Sequence, residues 1–113
     1  MSELTNFYSN CPLGPWIVPL DSMDLSPDRL SLKLSINGEV RQNGNTKDMI
    51  FNVPEIIAQL SEGFTLKPGD VLLTGTPAGV GYALDPPRCL MPGDLIEAEI
   101  EGIGKLINTV SLV

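Results

Sequence analysis

From Leu30 onward apolar and polar residues alternate: Leu30, Leu32, Leu34 and Ile36 fall on one face, Ser31, Lys33 and Ser35 on the other. A period of two predicts a strand with one buried and one wet side. Asn37-Gly38 comes next, a pair that accepts the positive φ angles of a tight turn, so Glu39 to Gln42 is expected to return antiparallel. A second Asn43-Gly44 predicts another bend that ends the return strand.

The period then changes. Asn52 can cap a helix, Glu55 can reach back to it as in a capping box, and Pro54 is tolerated in a first turn. Val53, Ile56, Ile57 and Leu60 then stand at helical spacing, with Gly63 as the expected residue just past the end. These signals predict one helix over about residues 53–62.

A short repeat marks the second half. Leu66-Lys67-Pro68-Gly69-Asp70-Val71-Leu72 recurs 24 positions later as Leu90-Met91-Pro92-Gly93-Asp94-Leu95-Ile96. Each copy predicts a Pro-Gly turn leading into a strand, the first through Val71–Thr74 and the second through Leu95–Glu101. In the second strand Ile96, Ala98 and Ile100 oppose Glu97, Glu99 and Glu101, and Leu106–Val113 is expected to close the sheet. The proline-rich stretch from Cys11 to Pro19 is expected to be extended and held by Trp16 and its apolar neighbours. The pattern as a whole reads as a mainly β to α+β domain.

A length of 113 residues fits one domain. With 14 acidic and 7 scattered basic residues, the net charge of −7 argues against a nucleic-acid partner and against anionic lipid. The start Met1-Ser2-Glu3-Leu4-Thr5 lacks a basic, then apolar, leader and no apolar run has membrane-spanning length, so the expected location is cytoplasmic. There is no histidine, which removes Ser-His-Asp and Cys-His mechanisms and His-containing zinc sites. Cys11 and Cys89 stand in no metal spacing and are expected as reduced, buried thiols.

Three segments carry candidate chemistry. Glu97-Ala98-Glu99 has two carboxylates on one strand face, but no third ligand stands nearby, and it reads as a solvated face. Asn43–Met49 reads as a polar loop. Thr74-Gly75-Thr76-Pro77-Ala78-Gly79-Val80-Gly81 brings three glycines and two threonine hydroxyls to the end of an apolar strand, where backbone N–H groups can approach an anion. It is neither a Walker loop nor a Gly-x-Gly-x-x-Gly turn.

Taken in order, Cys11–Trp16, Asn37–Glu39, Arg41–Thr46, Met49–Phe51, Pro68–Val71, Thr74–Gly81, Pro92–Asp94 and Glu99–Gly104 closely resemble the fumarylacetoacetate hydrolase family. The likeness is to the C-terminal half of its catalytic domain. Kindred members are isomerases of 2-hydroxyhepta-2,4-diene-1,7-dioate, decarboxylases of 5-oxopent-3-ene-1,2,5-tricarboxylate and acylpyruvases, of the kind used in aromatic degradation.

The resemblance implies a partial mixed β-roll, pairing into dimers or larger homo-oligomers, and a small 2-oxo carboxylate or 1,3-dicarbonyl ligand. It places substrate oxygen at Thr76, with Gly75 beside it. In the family a Mg²⁺ or Mn²⁺ ion polarises the oxo-enolate. Its Glu-x-Glu pair and further acid lie upstream of the Cys-Pro-Leu-Gly-Pro segment, where this chain has Glu3 alone, and the family's lysine falls on Thr5. Residues 1–10 are therefore read as a divergent segment and 11–113 as a truncated domain. No metal and no catalytic residue are expected in this chain, which is read as inactive alone. The alternatives are a subunit of a split enzyme and a small-carboxylate binding module.

Overall fold

The computed structural model describes residues 11–112. Four strands form one antiparallel sheet: β1 (Ser31–Ile36), β2 (Glu39–Asn45), β3 (Leu95–Ile100) and β4 (Gly104–Thr109), in the spatial order β2-β1-β3-β4. One helix, α1 (Val53–Gly63), and four short 3₁₀ turns complete the regular structure. This is the partial fold expected of the family's C-terminal part, with a single helix where the capping residues place it.

The Asn37-Gly38 turn adopts φ of 52° and 81°, both left-handed, and joins β1 to β2. Leu32 faces Ile100, Leu34 faces Ala98 and Ile36 faces Ile96, while Ala98 in turn faces Leu106, so the apolar stripe runs across three strands. On the opposite face Lys33 pairs with Glu99, and Glu99 with Lys105. Lys105 Nζ lies 3.2 Å from Glu97 and 4.0 Å from Glu99. A neutralising cation thus stands beside the glutamates, and Glu97 and Glu99 belong to an ion-paired strand face.

The return strand is longer than its second Asn-Gly pair predicts. β2 runs through Asn43-Gly44 to Asn45, because an irregularity between Leu34 and Ser35 inserts Arg41 as an extra residue and carries the pairing onward. Gln42 then pairs with Leu34 and Gly44 with Leu32, which puts both on the apolar face.

Other expectations are corrected. Val71–Thr74 forms no strand and pairs with none among the described residues. The pattern that suggested a strand reflects side-chain alternation, and pairing needs a neighbour as well. Helix α1 includes Gly63 and is closed at Phe64, whose N–H donates to the Leu60 carbonyl, so Gly63 needs no left-handed conformation. Ser35, assigned to the wet face, is 8% exposed. Strand β4 ends at Thr109, short of the expected Val113, which lies outside the described residues. Cys11 and Cys89 are free, as expected, but exposed. The expectations for residues 1–10, including Thr5 at the lysine position, also lie outside the described residues.

The amino-terminal stretch is held by Trp16. Its indole N–H donates to the Ile103 carbonyl at 2.6 Å, and its ring lies against Gly104, where a Cβ would sit 2.7 Å from the ring. Thr46 closes the other end of the sheet: its hydroxyl accepts from the Leu30 N–H at 2.8 Å and donates to the Pro27 carbonyl at 2.7 Å. Leu30 is the one buried hydrophobic residue among those described, while large apolar side chains such as Ile17, Ile50, Phe64 and Leu73 are exposed. Among the described residues little apolar side-chain area is therefore fully shielded.

Candidate functional site

The Gly-Thr-Pro segment lies over the apolar face of β1 and β2. Three features of the sequence place it there. Gly44 has no side chain, and a Cβ at that position would come within 3.0 Å of Pro77 Cβ, so Pro77 seats on bare backbone. Gly79, at φ 104°, passes so close to the Arg41 carbonyl that any side chain would overlap it. Gln42, turned onto this face by the extra residue in β2, donates from Nε2 to Thr76 Oγ1 at 2.7 Å and to the Pro77 carbonyl at 2.8 Å.

Beyond Gly79 the segment is anchored a second time. The Arg88 N–H donates to the Gly81 carbonyl at 2.8 Å, and its guanidinium grips both carboxylate oxygens of Glu39 at 2.9 and 3.1 Å. This fork-on-fork geometry holds the Glu39 carboxyl below the usual carboxylate range, through the Arg88 hydrogen bonds first. Arg41, whose side chain is 11% exposed, places Nε 3.4 Å from Glu39 without a hydrogen bond.

Between this segment and the end of β2 opens a cleft of about 680 Å³. One wall is Thr74–Ala78. The other is Asn43–Thr46 with Asp48–Phe51, and Leu32 and Ile56 complete it. Thr76 and Gly75, the two residues expected to meet substrate, are both on the first wall and exposed. The Thr76 oxygen already accepts from Gln42, so its O–H is left to donate outward. Gly75, at φ 92°, has open space where a side chain would be, and the Gly75 and Thr76 N–H groups have no backbone partner among the described residues. The wall therefore carries a hydroxyl and two amide N–H groups free of backbone partners, donor types that suit a carboxylate or enolate oxygen.

Sequence reasoning left out the facing wall. Asn43–Met49 reads as a loop because its polar residues carry no spacing signal; only the strand register brings it opposite Thr76. Gln42 was missed for the same reason, since its role depends on the extra residue that turns it over.

Mg²⁺ and Mn²⁺ prefer several hard oxygens. Asp48 is the one carboxylate lining the cleft, and among the described residues no group of three Cys, Asp or Glu is placed to hold a metal ion. The described residues do not make the family's metal site. Nor is any described helix long and apolar enough to cross a membrane.

Comparison with known proteins agrees with this architecture. Residues 2–111 match the family model for the C-terminal part of fumarylacetoacetate hydrolase. An oxaloacetate tautomerase of Bacillus subtilis is 46% identical over 102 residues, which is 90% of this chain and 34% of the relative. The solved fumarylacetoacetate hydrolase of the psychrophile Exiguobacterium antarcticum superimposes with a TM-score of 0.87 at 46% identity, covering 92% of this chain and 37% of that one. Maleylpyruvate hydrolase of Sphingobium sp. SYK-6, in complex with manganese(II) and pyruvate, gives 0.80 at 37% identity over 90% of this chain and 36% of that one. The chain thus spans about a third of the length of these relatives. It belongs to the fumarylacetoacetate hydrolase family and corresponds to the C-terminal part of the family domain.

Proposed function

We propose that this chain forms the donor-lined wall of a pocket for small 2-oxo carboxylates, and that the groups for turnover come from outside residues 11–112. The carrying observation is the Gln42–Thr76 hydrogen bond, which holds Thr76 Oγ1 at the cleft wall and leaves its O–H free to donate to a ligand. Gly75 and Thr76 N–H groups add two further donors on the same wall. Support for the ligand class comes from the relatives, one described as an oxaloacetate tautomerase and another solved with pyruvate. Magnesium or manganese would act as a Lewis acid on the oxo-enolate, and its carboxylate ligands are not among the described residues. By itself the chain binds and does not catalyse.

Calorimetric titration of the chain with oxalate, an enolate mimic, tests this without metal. Saturable binding is expected, weakened at least tenfold in Thr76→Val, which keeps the side chain's shape and removes its O–H. Binding that survives Thr76→Val unchanged, or none at millimolar oxalate, overturns the reading. A parallel titration with Mn²⁺ checks the second half of the proposal. Micromolar Mn²⁺ binding enhanced by oxalate would show a complete metal site and make the chain an enzyme in its own right.

Self-association belongs to the same reading. The total surface is 9136 Å². Even after the largest area that residues 1–10 could contribute is set aside, this exceeds the expectation for a monomer of the remaining mass by about 1,900 Å². A standard interface buries about 800 Å² on each partner, so the surplus on one chain is more than enough for one. A dimer or larger assembly is expected by light scattering at micromolar concentration, and a strict monomer would refute it.

A further inference from the structure

The wall that faces Thr76 has spent nearly all its polar side chains on its own structure. The turn Thr46–Asp48 follows directly on β2 and is fixed locally. Asn45 Oδ1 accepts from the Lys47 N–H at 3.0 Å, and the Met49 N–H donates to the Thr46 carbonyl at 3.1 Å. The Thr46 hydroxyl is committed to Leu30 and Pro27, and the Asn45 amide donates to Ser31 Oγ at 3.4 Å. Asn43 pairs with Lys33, one step along the strand from the Gly44–Leu32 pair, so its side chain belongs to the opposite face of the sheet. Asp48 is left over. It lines the cleft, is exposed, and its carboxylate has no hydrogen bond or ion pair among the described residues.

The rest of this side is apolar. Met49, Ile50 and Phe51 continue the wall, and the Asn52–Glu55 capping box starts α1 so that Ile56 joins them. Ile50 and Phe51 are 92% and 53% exposed, so their surfaces are open to a ligand. Among the described residues no lysine or arginine lines the cleft; Lys47, next to Asp48 in sequence, does not reach it. A volume of about 680 Å³ is of the size that holds drug-sized ligands, more than the head of a 2-oxo acid fills.

We propose that Asp48 is a specificity-determining residue of this cleft. With the ligand's carboxylate at Thr76, Asp48 turns away a second carboxylate at the far end, and the apolar side chains beside it take a hydrocarbon tail. The inference rests on the reading of the cleft as a 2-oxo carboxylate pocket and narrows the class to 2-oxo monocarboxylates with an apolar tail. Two effects act in the same direction. Like charges repel across a cleft more strongly than in bulk water, and no cation in the lining offsets Asp48. Each methylene buried against Met49, Ile50 and Phe51 strengthens binding by up to about fourfold. A dicarboxylate forfeits both.

Calorimetry on the whole chain without metal tests this with two ligands of nearly one shape. 5-Methyl-2-oxohexanoate ends in an isopropyl group where 2-oxoglutarate ends in a carboxylate. The first is expected to bind at least about tenfold tighter. In Asp48→Asn, which keeps the side chain's shape and removes its charge, that preference is expected to shrink about threefold or more, through tighter binding of 2-oxoglutarate. Asp48→Glu, which keeps the charge, is expected to keep the preference. Asp48 is exposed and unpaired, so neither variant removes a contact that holds the fold. Oxalate, run alongside, keeps the two readings apart. If oxalate does not bind, the pocket reading falls and this inference with it. If oxalate binds but 2-oxoglutarate binds as well as its apolar counterpart, only the role of Asp48 is refuted. The same holds if Asp48→Asn leaves the preference unchanged, or if Asp48→Glu loses it to the same extent.

Discussion

Gly79 gives the sharpest check on how the donor wall is held. Replacement by alanine meets two separate penalties. The residue sits at φ 104°, where an L side chain costs about 1–2 kcal/mol. The new methyl also overlaps the Arg41 carbonyl oxygen in β2 and stands 2.9 Å from its carbon, so strand or segment must shift, an overpacking cost of about 1–3 kcal/mol. Together these come to about 2–5 kcal/mol, a large share of the 5–15 kcal/mol that stabilises a typical domain. Gly75→Ala is the matched control: φ is 92°, but no atom lies within 4 Å of the added carbon, so only the backbone penalty of about 1–2 kcal/mol applies. Urea unfolding followed by the fluorescence of Trp16, the single tryptophan, reads both variants. In thermal terms, the control is expected to lose roughly 5–10 °C and Gly79→Ala clearly more. If Gly79→Ala is no less stable than Gly75→Ala, the close approach of this segment to β2 is wrong.

Other consequences are testable in the same preparations. Gln42→Leu leaves Thr76 Oγ1 and the Pro77 carbonyl without their shared donor; a stability loss of about 1–3 kcal/mol is expected by urea titration, with oxalate affinity reduced several-fold by calorimetry. Asp94 is held below the usual carboxylate range by the Met91 N–H and then by the Asn37 amide. The lowered value means its contribution is complete above the unfolded carboxylate value and is lost as pH falls through the folded one. The stability gap between the wild type and Asp94→Asn is therefore expected to be constant above about pH 5 and to close below about pH 4. A gap that stays open into acid would contradict this.

The sequence made local structure plain wherever neighbours along the chain decide it. Asn37-Gly38 specifies its turn without help from distant residues, and Asn52 with Glu55 specifies the start of α1; both oxygens make the expected bonds at 2.9 Å. Thr76 and Gly75 were singled out by motif resemblance, and both line the cleft. What escaped depends on partners far away in sequence. The polar run Asn43–Asn45 looks like a loop until β1 pairs with it, and Gln42 gains its position from one additional residue in the strand. Val71–Thr74 shows the converse limit: a strand-like pattern records the environment for which a segment is suited, and pairing depends on whether a neighbour is there. The buried thiols failed for a related reason, since a small apolar residue is covered only if there is something to cover it.

The exposed apolar side chains also change how the chain behaves as a colloid. With few side chains shielded, attraction between molecules comes from apolar area that ordinary domains keep inside. At neutral pH the opposing force is the net charge of −7, spread over carboxylates that salt can screen. Protonation of those carboxylates removes the repulsion and leaves the apolar area untouched. The acidic surface thus limits how far association runs, and loss of its charge in acid is expected to turn ordered assembly into precipitation.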